Sequence, residues 1–334
     1  MESLKTAGKN PFPYSHTEAR YHTFDHFARG LFGQKAARVS LDAGLTCPNR
    51  DGHCGVGGCL FCLGGSSSAA AGDIETQYLQ GVEIARRKWG EVALLPYLQA
   101  GTNTYGDPAD LRALYDRCAR LPGARMLILG TRADCLSPEI VEVLAEVSRR
   151  IPLLVELGMQ TVHDDTLQAI RRGYGHEEFV DGYRRLRAAG GDVRICLHLM
   201  NGLPGEDAER MLETAREVAR LQPDMVKFHA VCVLRGTDLY GMWARGEYVP
   251  MTQEEYIAVL AAQLAVLPAE VVIGRICADA PRDVLAAPAW VRNKMGVRNA
   301  LDRYLREREM WQGCGKPLGA LPPREDAVFA RKGK

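Results

Sequence analysis

A regular alternation of short apolar runs and amphipathic stretches begins near residue 37, and it constrains the fold more than any other feature. The intervening stretches carry helix-start signals at Asp107-Pro108 and Ser137-Pro138 and a capping box at 252–255. Repeated strand–helix units at this interval predict a parallel sheet covered by helices. The predicted strands are 37–43, 92–99, 125–130, 153–158, 193–200, 225–233 and 270–277.

These units predict an α/β fold, namely a partial or near-closed (β/α) TIM-type barrel of six to seven parallel strands with N- and C-terminal extensions. No G-x-G-x-x-G segment follows the first strand, which disfavours a dinucleotide-binding sheet. We expect residues 1–36 to form the N-terminal extension, 37–285 the barrel domain and 286–334 a C-terminal helical extension. The last of these should contain a helix at 291–309 and fray at its end, and the Gly- and Ser-rich stretch 64–72 is predicted to be a flexible loop.

The composition narrows the class of protein. The net charge of +1 over 334 residues gives no general basic field for nucleic acid. No apolar run approaches the length of a membrane span, and the N-terminus lacks the apolar core of a signal peptide. Ten cysteines in such a chain favour a reducing cytoplasm, where clustered cysteines bind metals more often than they form disulfides. We therefore expect a cytoplasmic protein with no membrane partner.

A cysteine loop, residues 44–64, follows the first predicted strand and contains Cys47, Cys54, Cys59 and Cys62. Zinc would take all four thiolates, although the spacing C-x6-C-x4-C-x2-C lacks the two C-x-x-C knuckles of a zinc ribbon. A four-iron cluster would instead take three cysteines, Cys47, Cys59 and Cys62, and leave one iron open, with Cys54 as a bystander or a stand-in ligand. Either metal would lie at the carboxyl end of a strand, where β/α barrels place their chemistry.

Polar residues recur along the later strands, and the period of two places them on shared faces. Cys196 lies on the same face as His198, and Lys227 on the same face as His229, while Glu156 interrupts an apolar strand. A buried ionisable group costs several kcal/mol unless it is paired or bound to a ligand. Their occurrence on several strands predicts a polar cavity inside the barrel rather than isolated structural groups.

These motifs together resemble the radical S-adenosylmethionine (SAM) enzymes, most closely the bacterial YtqA/YhcC-type subfamily, which is related to the radical domain of the Elongator catalytic subunit. The resemblance runs from about residue 15 to 310. The segments that carry it are 47–52, 58–62, 130–135, 156–161, 201–206, 227–229 and 301–305.

The resemblance implies that Cys47, Cys59 and Cys62 hold a [4Fe–4S] cluster whose fourth iron chelates SAM. An electron donor such as flavodoxin or ferredoxin would reduce the cluster. Reductive cleavage of SAM would then release a 5′-deoxyadenosyl radical that abstracts hydrogen from the substrate, while the protein positions the radical and excludes water.

The resemblance also implies a set of SAM contacts. The end of the second strand matches the position that meets the methionine amino group, although the superfamily's Gly-Gly-Glu is absent here. Glu156 matches the position that meets the ribose hydroxyls, Arg172 matches an arginine near the ribose or carboxylate, and 199–202 matches the adenine contact. The implied residues are Gln99, Gly101, Thr102, Glu156, Arg172, His198, Asn201 and Gly202.

Arg132 and three further residues are left over from the SAM site, and the three assigned to the substrate are Lys227, His229 and Arg275. Together with Arg132 they predict an anionic or heteroatom-rich substrate, with Lys227 or His229 available for proton transfer. By resemblance, the substrate is a wobble uridine of tRNA, a partner for which only the basic clusters 86–88, 149–150, 171–172 and 184–185 offer support. Two alternatives stay open: the same chemistry on a small metabolite or protein, and a zinc-stabilised RNA-binding or scaffold protein without catalysis.

Overall fold

The computed structural model describes residues 10–64, 71–280 and 282–319. Most of the predicted flexible loop at 64–72 and the end of the C-terminal extension lie outside these ranges. The strands are β1 (Ala36–Leu41), β2 (Ala93–Leu98), β3 (Leu127–Thr131), β4 (Leu153–Gln160), β5 (Val193–Asn201), β6 (Met225–Ala230), β7 (Val233–Leu234), β8 (Val272–Arg275) and β9 (Leu285–Ala287). The helices are α1 (Phe24–Phe32), α2 (Ile74–Trp89), α3 (Pro108–Ala119), α4 (Pro138–Ser148), α5 (Asp164–Ala169), α6 (His176–Arg187), α7 (Ala208–Leu221), α8 (Asp238–Ala244), α9 (Gln253–Val266) and α10 (Lys294–Glu307).

Seven parallel strands form one sheet in the order β1-β2-β3-β4-β5-β6-β8, with helices in the crossovers. The sheet curls into a partial TIM-type barrel, which confirms the predicted fold. The register places Glu156 beside Cys196 and His198 beside Lys227, so these side chains of neighbouring strands share one face. The helix starts at Asp107, Ser137 and Thr252 are all capped as predicted, and Thr252 forms a complete capping box.

Two predicted elements differ in their extent. The run 225–233 is not one strand, because the sheet strand ends at Ala230 and β7 pairs antiparallel with β9 in a separate ribbon. The helix expected at 291–309 is divided, since a 3₁₀ turn at Ala289–Arg292 precedes α10. The side chain of Asn293 accepts a hydrogen bond from the backbone of Gly296, so it caps a new helix instead of continuing the turn. The division into 1–36, 37–285 and 286–334 remains a prediction.

The sheet separates two apolar regions. The larger one fills the space between the outer face and the helices. The smaller one lies inside the curl and is packed against the phenylalanines of α1; its buried members are Leu95, Tyr97, Met126, Ile128, Leu154, Cys196, Met225 and Val272. Helix α1 contacts both β1 and β8, the first and last strands of the sheet. Among the described residues, no helix has both the length and the apolar composition that crossing a membrane requires.

Candidate functional site

A cavity of about 540 Å³ lies between the cysteine loop and the carboxyl ends of the strands, and we call it the barrel cavity. The predicted site residues that line it are Cys47, Cys59, Cys62, Gln99, Gly101, Thr102, Glu156, Arg172, His198, Lys227, His229 and Arg275. The fold therefore brings together residues that are up to 228 positions apart in the printed sequence, from Cys47 to Arg275.

Two predicted SAM contacts, Asn201 and Gly202, are not among the residues that line the barrel cavity. Both ends of the Asn201 amide are bonded to the amide of Gln263, at 2.7 and 2.9 Å. The carbonyl of Gly202 accepts a hydrogen bond from the hydroxyl of Tyr248 at 2.7 Å. Helix α9 and the segment before it thus hold both residues, and their contact with SAM stays a prediction.

Close backbone contact joins the cysteine loop to the end of β2. The amide of Thr102 donates to the carbonyl of Thr46 at 2.9 Å. Gly101 has a φ of 72°, and a Cβ at that position would lie 2.1 Å from the carbonyl oxygen of Leu45. Only glycine tolerates both this backbone conformation and this approach. The sequence at the end of β2 therefore determines where the cysteine loop lies over the cavity.

The spacing of the cysteine sulfurs distinguishes between the two metals considered above. In a tetrahedral zinc site with Zn–S bonds of about 2.3 Å, the sulfurs lie about 3.8 Å apart. Among the described residues, which include all four cysteines of the loop, no three cysteine sulfurs lie within 4.8 Å of one another. The loop is therefore more open than a closed zinc site, which suits the larger iron cluster. Cys54 is exposed and is not among the residues that line the barrel cavity.

A buried hydrogen-bond network is centred on one carboxylate oxygen at the floor of the cavity. Glu156 Oε2 accepts from Lys227 Nζ at 2.5 Å, from the hydroxyl of Tyr97 at 2.7 Å and from His198 Nε2 at 2.9 Å. The side chains of Lys227 and Glu156 are 1% and 0% exposed. The second carboxylate oxygen of Glu156, Oε1, is also buried, but it has no hydrogen-bond partner. This carboxylate thus keeps one acceptor free.

Burial and neighbouring charges set the protonation states of this network. Burial alone would raise the pKa of Glu156, but Lys227 and His198 outweigh it and hold that pKa well below its usual value. Burial, with Arg38 nearby, lowers the pKa of Lys227 to about 8. Burial also lowers the pKa of His198 and brings the pKa of His229 well below its usual value. Near neutral pH the cavity floor therefore holds a carboxylate, an ammonium and two neutral imidazoles.

Two arginines flank one buried tyrosine at the wall of the cavity. The guanidinium carbons of Arg132 and Arg172 lie 4.9 and 4.7 Å from the ring centre of Tyr174. Arg172 Nη2 donates to the hydroxyl of Tyr174 at 2.7 Å and to the carbonyl of Gly158 at 2.6 Å. Asp134 pairs with Arg132 through two hydrogen bonds, whereas no ion pair of Arg172 is found among the described residues. Arg172 therefore contributes an uncompensated positive charge to the cavity.

Several polar atoms around this cavity lack a hydrogen-bond partner. Four of its lining residues each have a buried atom without a hydrogen-bond partner: Arg132 Nη1, Glu156 Oε1, Arg172 Nε and His229 Nε2. Buried polar atoms are normally satisfied, so such a group of exceptions on one cavity indicates a polar ligand. The two arginine donors, Arg132 Nη1 and Arg172 Nε, suit the carboxylate of a molecule such as SAM, and the acceptor Glu156 Oε1 suits its ribose hydroxyls.

Three residues at or beside the site, Tyr97, Asn49 and Arg50, were not predicted from the sequence. Tyr97 lines the cavity and bonds to Glu156, and the period of two from Gln99 would have placed it on the same face. Asn49 contacts the sulfur of Cys59, and Arg50 contacts the carbonyl of Cys62, both from within the loop. No periodic signal marks those two, since they lie in irregular backbone.

Comparison with known proteins gives consistent matches. The profile of the radical SAM superfamily matches residues 52–218, a segment that Cys47 precedes, and that of the radical SAM C-terminal domain matches 223–307. The chain is 38% identical to protein YtqA of Bacillus subtilis over 308 residues, covering 91% of this chain and 95% of YtqA. It is 33% identical to protein YhcC of Escherichia coli over 298 residues, covering 88% and 94%.

Two further similarities concern proteins of the Elongator type. The chain is 36% identical to a tRNA uridine(34) acetyltransferase of Methanocaldococcus jannaschii over 163 residues, covering 48% of this chain and 29% of that protein. The solved structure of Elp3 from Methanocaldococcus infernus matches with a TM-score of 0.64 at 22% identity, covering 83% of this chain and 64% of the other, and it supports the partial-barrel fold. Membership of this superfamily is inconsistent with a non-catalytic zinc scaffold. By the long matches over its barrel, the chain belongs to the radical SAM superfamily and is a radical SAM enzyme.

Proposed function

We propose that Cys47, Cys59 and Cys62 hold a [4Fe–4S] cluster and that SAM binds beside it in the barrel cavity. The observation that carries this proposal is the group of unpartnered buried atoms around one cavity whose rim bears three cysteines. A cavity of about 540 Å³ also falls within the usual size of a cofactor site. When bound, the cluster and SAM supply a 5′-deoxyadenosyl radical for hydrogen abstraction.

The chain's own residues would bind and orient SAM. Glu156 Oε1 is free to accept a ribose hydroxyl, while Oε2 is held by its three donors. Arg172 Nε is free to donate to the methionine carboxylate, and Tyr174 fixes the guanidinium by accepting from Nη2. The backbone around Gly101 and Thr102 would meet the amino group. Burial strengthens each of these interactions because water is excluded.

Lys227, His229 and Arg275 would act on the substrate. His229 is neutral with Nε2 unpartnered, so it can accept or donate a hydrogen bond at that atom. Lys227 has a pKa of about 8, so it can exchange a proton near neutral pH, and its ammonium donates a hydrogen bond to Glu156. Arg275 pairs with the half-exposed Asp279 at 3.1 Å at the edge of the cavity. These groups suit an anionic or heteroatom-rich substrate.

The proposed substrate is a tRNA wobble uridine, and the support for it is the similarity to a tRNA uridine(34) acetyltransferase and to Elp3. The base would have to leave its stack to reach the cavity. The basic clusters predicted on the surface add little support, because three of them each contain an arginine that is already held in an ion pair. Arg87 pairs with Glu83 at 2.5 Å, Arg150 with Asp116 at 2.9 Å, and Arg171 with Asp238 at 2.6 Å.

A small anionic metabolite is the second candidate. The observation that favours it is the cation-rich interior of the barrel, where Arg172 lacks an acidic partner among the described residues, although the charges of the whole chain almost cancel. Such an interior compensates a compact anion more readily than an uncharged base.

Nucleoside mass spectrometry of tRNA tests the first candidate. A deletion strain is compared with strains that express the wild type, Cys59→Ala or Cys54→Ala. We expect one wobble nucleoside to be altered in the deletion, restored by the wild type and by Cys54→Ala, and not restored by Cys59→Ala. Unchanged tRNA in the deletion strain would contradict the tRNA assignment, and a metabolite difference that follows the same pattern of strains would support the second candidate.

A further inference from the structure

Arg50 occupies an unusual place inside the cysteine loop. Its Nη1 donates to the carbonyl of Gly57 at 3.0 Å and to the carbonyl of Cys62 at 3.5 Å. A Cβ at Gly58 would lie 2.9 Å from Arg50 Nη1, and a Cβ at Gly64 would lie 2.4 Å from its Cζ. The guanidinium thus lies between two segments of the loop, which approach it closely because both residues are glycines.

The charge of Arg50 is not neutralised by a carboxylate. No ion pair of this arginine is found among the residues of 10–64, 71–280 and 282–319. Two other arginines of the cavity differ in this respect, since Arg132 pairs with Asp134 and Arg275 pairs with Asp279, whereas Arg172 also lacks an ion pair among the described residues. Arg50 therefore places an unpaired positive charge beside a proposed ligand of the cluster.

The preceding residue adds a hydrogen bond to a second ligand. Asn49 is buried, and its Nδ2 lies 3.4 Å from Cys59 Sγ and 2.5 Å from the carbonyl of Arg171. The amide of Gly64 donates to Cys62 Sγ at 3.3 Å. Hydrogen bonds to sulfur and nearby cations are two of the means by which proteins raise the reduction potential of an iron–sulfur cluster.

We propose that Arg50 is a positioning residue that raises the reduction potential of the cluster by its charge while bracing the loop that holds it. This inference rests on the proposed cluster. One electron, supplied by a low-potential donor protein, adds one negative charge to the cluster, and no bond to Arg50 forms or breaks. Because the reduced cluster is the more negative form, a fixed cation beside Cys62 stabilises it more than the oxidised form. Without that charge the donor would reduce a smaller fraction of the enzyme.

The test is a potentiometric titration of the reconstituted cluster, followed by electron paramagnetic resonance without substrate. In Arg50→Gln we expect the ratio of reduced to oxidised cluster at a fixed potential to fall about ten-fold, which is about 59 mV for a one-electron couple. Arg50→Lys retains the charge and should stay within about two-fold of the wild type. Arg171→Gln is the matched control, because that side chain is exposed and already paired with Asp238, and it should leave the potential unchanged.

The outcomes separate this inference from the proposed function. A wild type that assembles no [4Fe–4S] cluster would contradict the proposed function itself. A wild type with a cluster, whose potential is the same in Arg50→Gln, would contradict only the role of Arg50. If Arg50→Gln retains no iron, the result for Arg50→Lys is decisive. A cluster in Arg50→Lys with a potential near that of the wild type supports the proposal. A ten-fold lower ratio of reduced to oxidised cluster in Arg50→Lys, or no cluster at all, overturns it.

Discussion

The buried ion pair of Lys227 and Glu156 gives a prediction whose size follows from the structure. Lys227→Met keeps much of the side-chain volume and removes the cation 2.5 Å from Glu156 Oε2. Removing one partner of a buried pair costs about 3–5 kcal/mol, because a charge is left uncompensated. Tyr97 and His198 still donate to the same oxygen, so we expect about 3 kcal/mol, at the lower end of that range.

The cost should depend on pH in a defined direction. In the wild type the pKa of Glu156 lies well below its usual value. The ionised carboxylate therefore stabilises the folded state at any pH above the usual carboxyl pKa, and this stabilisation is lost as the pH falls below it. In Lys227→Met, burial without the cation should raise the pKa, so the variant loses stability as the pH rises. The difference in free energy of unfolding should therefore grow by up to about 1.4 kcal/mol per pH unit above the usual carboxyl pKa.

Guanidinium-induced unfolding of the cluster-free protein, followed by circular dichroism between about pH 5 and 7, measures this difference. Lys227 remains protonated over that range, since its pKa is about 8. The control is the double variant Glu156→Gln with Lys227→Met, which buries no charge and should recover at least half of the lost stability. The reasoning would be refuted if Lys227→Met lost less than about 1 kcal/mol of unfolding free energy with no dependence on pH. It would also be refuted if the double variant lost as much stability as Lys227→Met and Glu156→Gln lose when measured separately and added.

Three further predictions concern the cavity rim. Cys59→Ala should abolish iron binding after anaerobic reconstitution, whereas Cys54→Ala should retain most of it; equal losses by iron analysis would contradict the ligand assignment. Gly101→Ala should unfold at lower denaturant than Gly33→Ala, since both glycines have a φ of 72° but only the Cβ at 101 would meet a backbone oxygen, and the control should cost about 1 kcal/mol. Tyr174→Phe should weaken calorimetric SAM binding about five-fold with unchanged iron content, because Arg172 loses one hydrogen-bond partner, and unchanged affinity would argue against that contact.

Local sequence patterns determined most of the architecture of this chain. The strands were found because buried parallel strands are short apolar runs, and the helix starts at Asp107, Ser137 and Thr252 were found because capping depends on adjacent residues. The cysteine spacing and the polar residues on the strands likewise predicted a cavity, since the period of two fixes which side chains share a face. These features depend on neighbours along the chain and can be read without the fold.

The tertiary structure decided how the polar residues are paired. Lys227 and Tyr97 share one oxygen of Glu156, which follows from three strands meeting inside the barrel and from no local pattern. Asn201 bonds to Gln263 because α9, which packs against α7, brings that side chain to the end of β5. Arg50 lies within the cysteine loop because irregular backbone, with no period of its own, folds around it. Partners that are distant in sequence are set by packing geometry, so side chains of the same type can have different roles that the sequence alone does not distinguish.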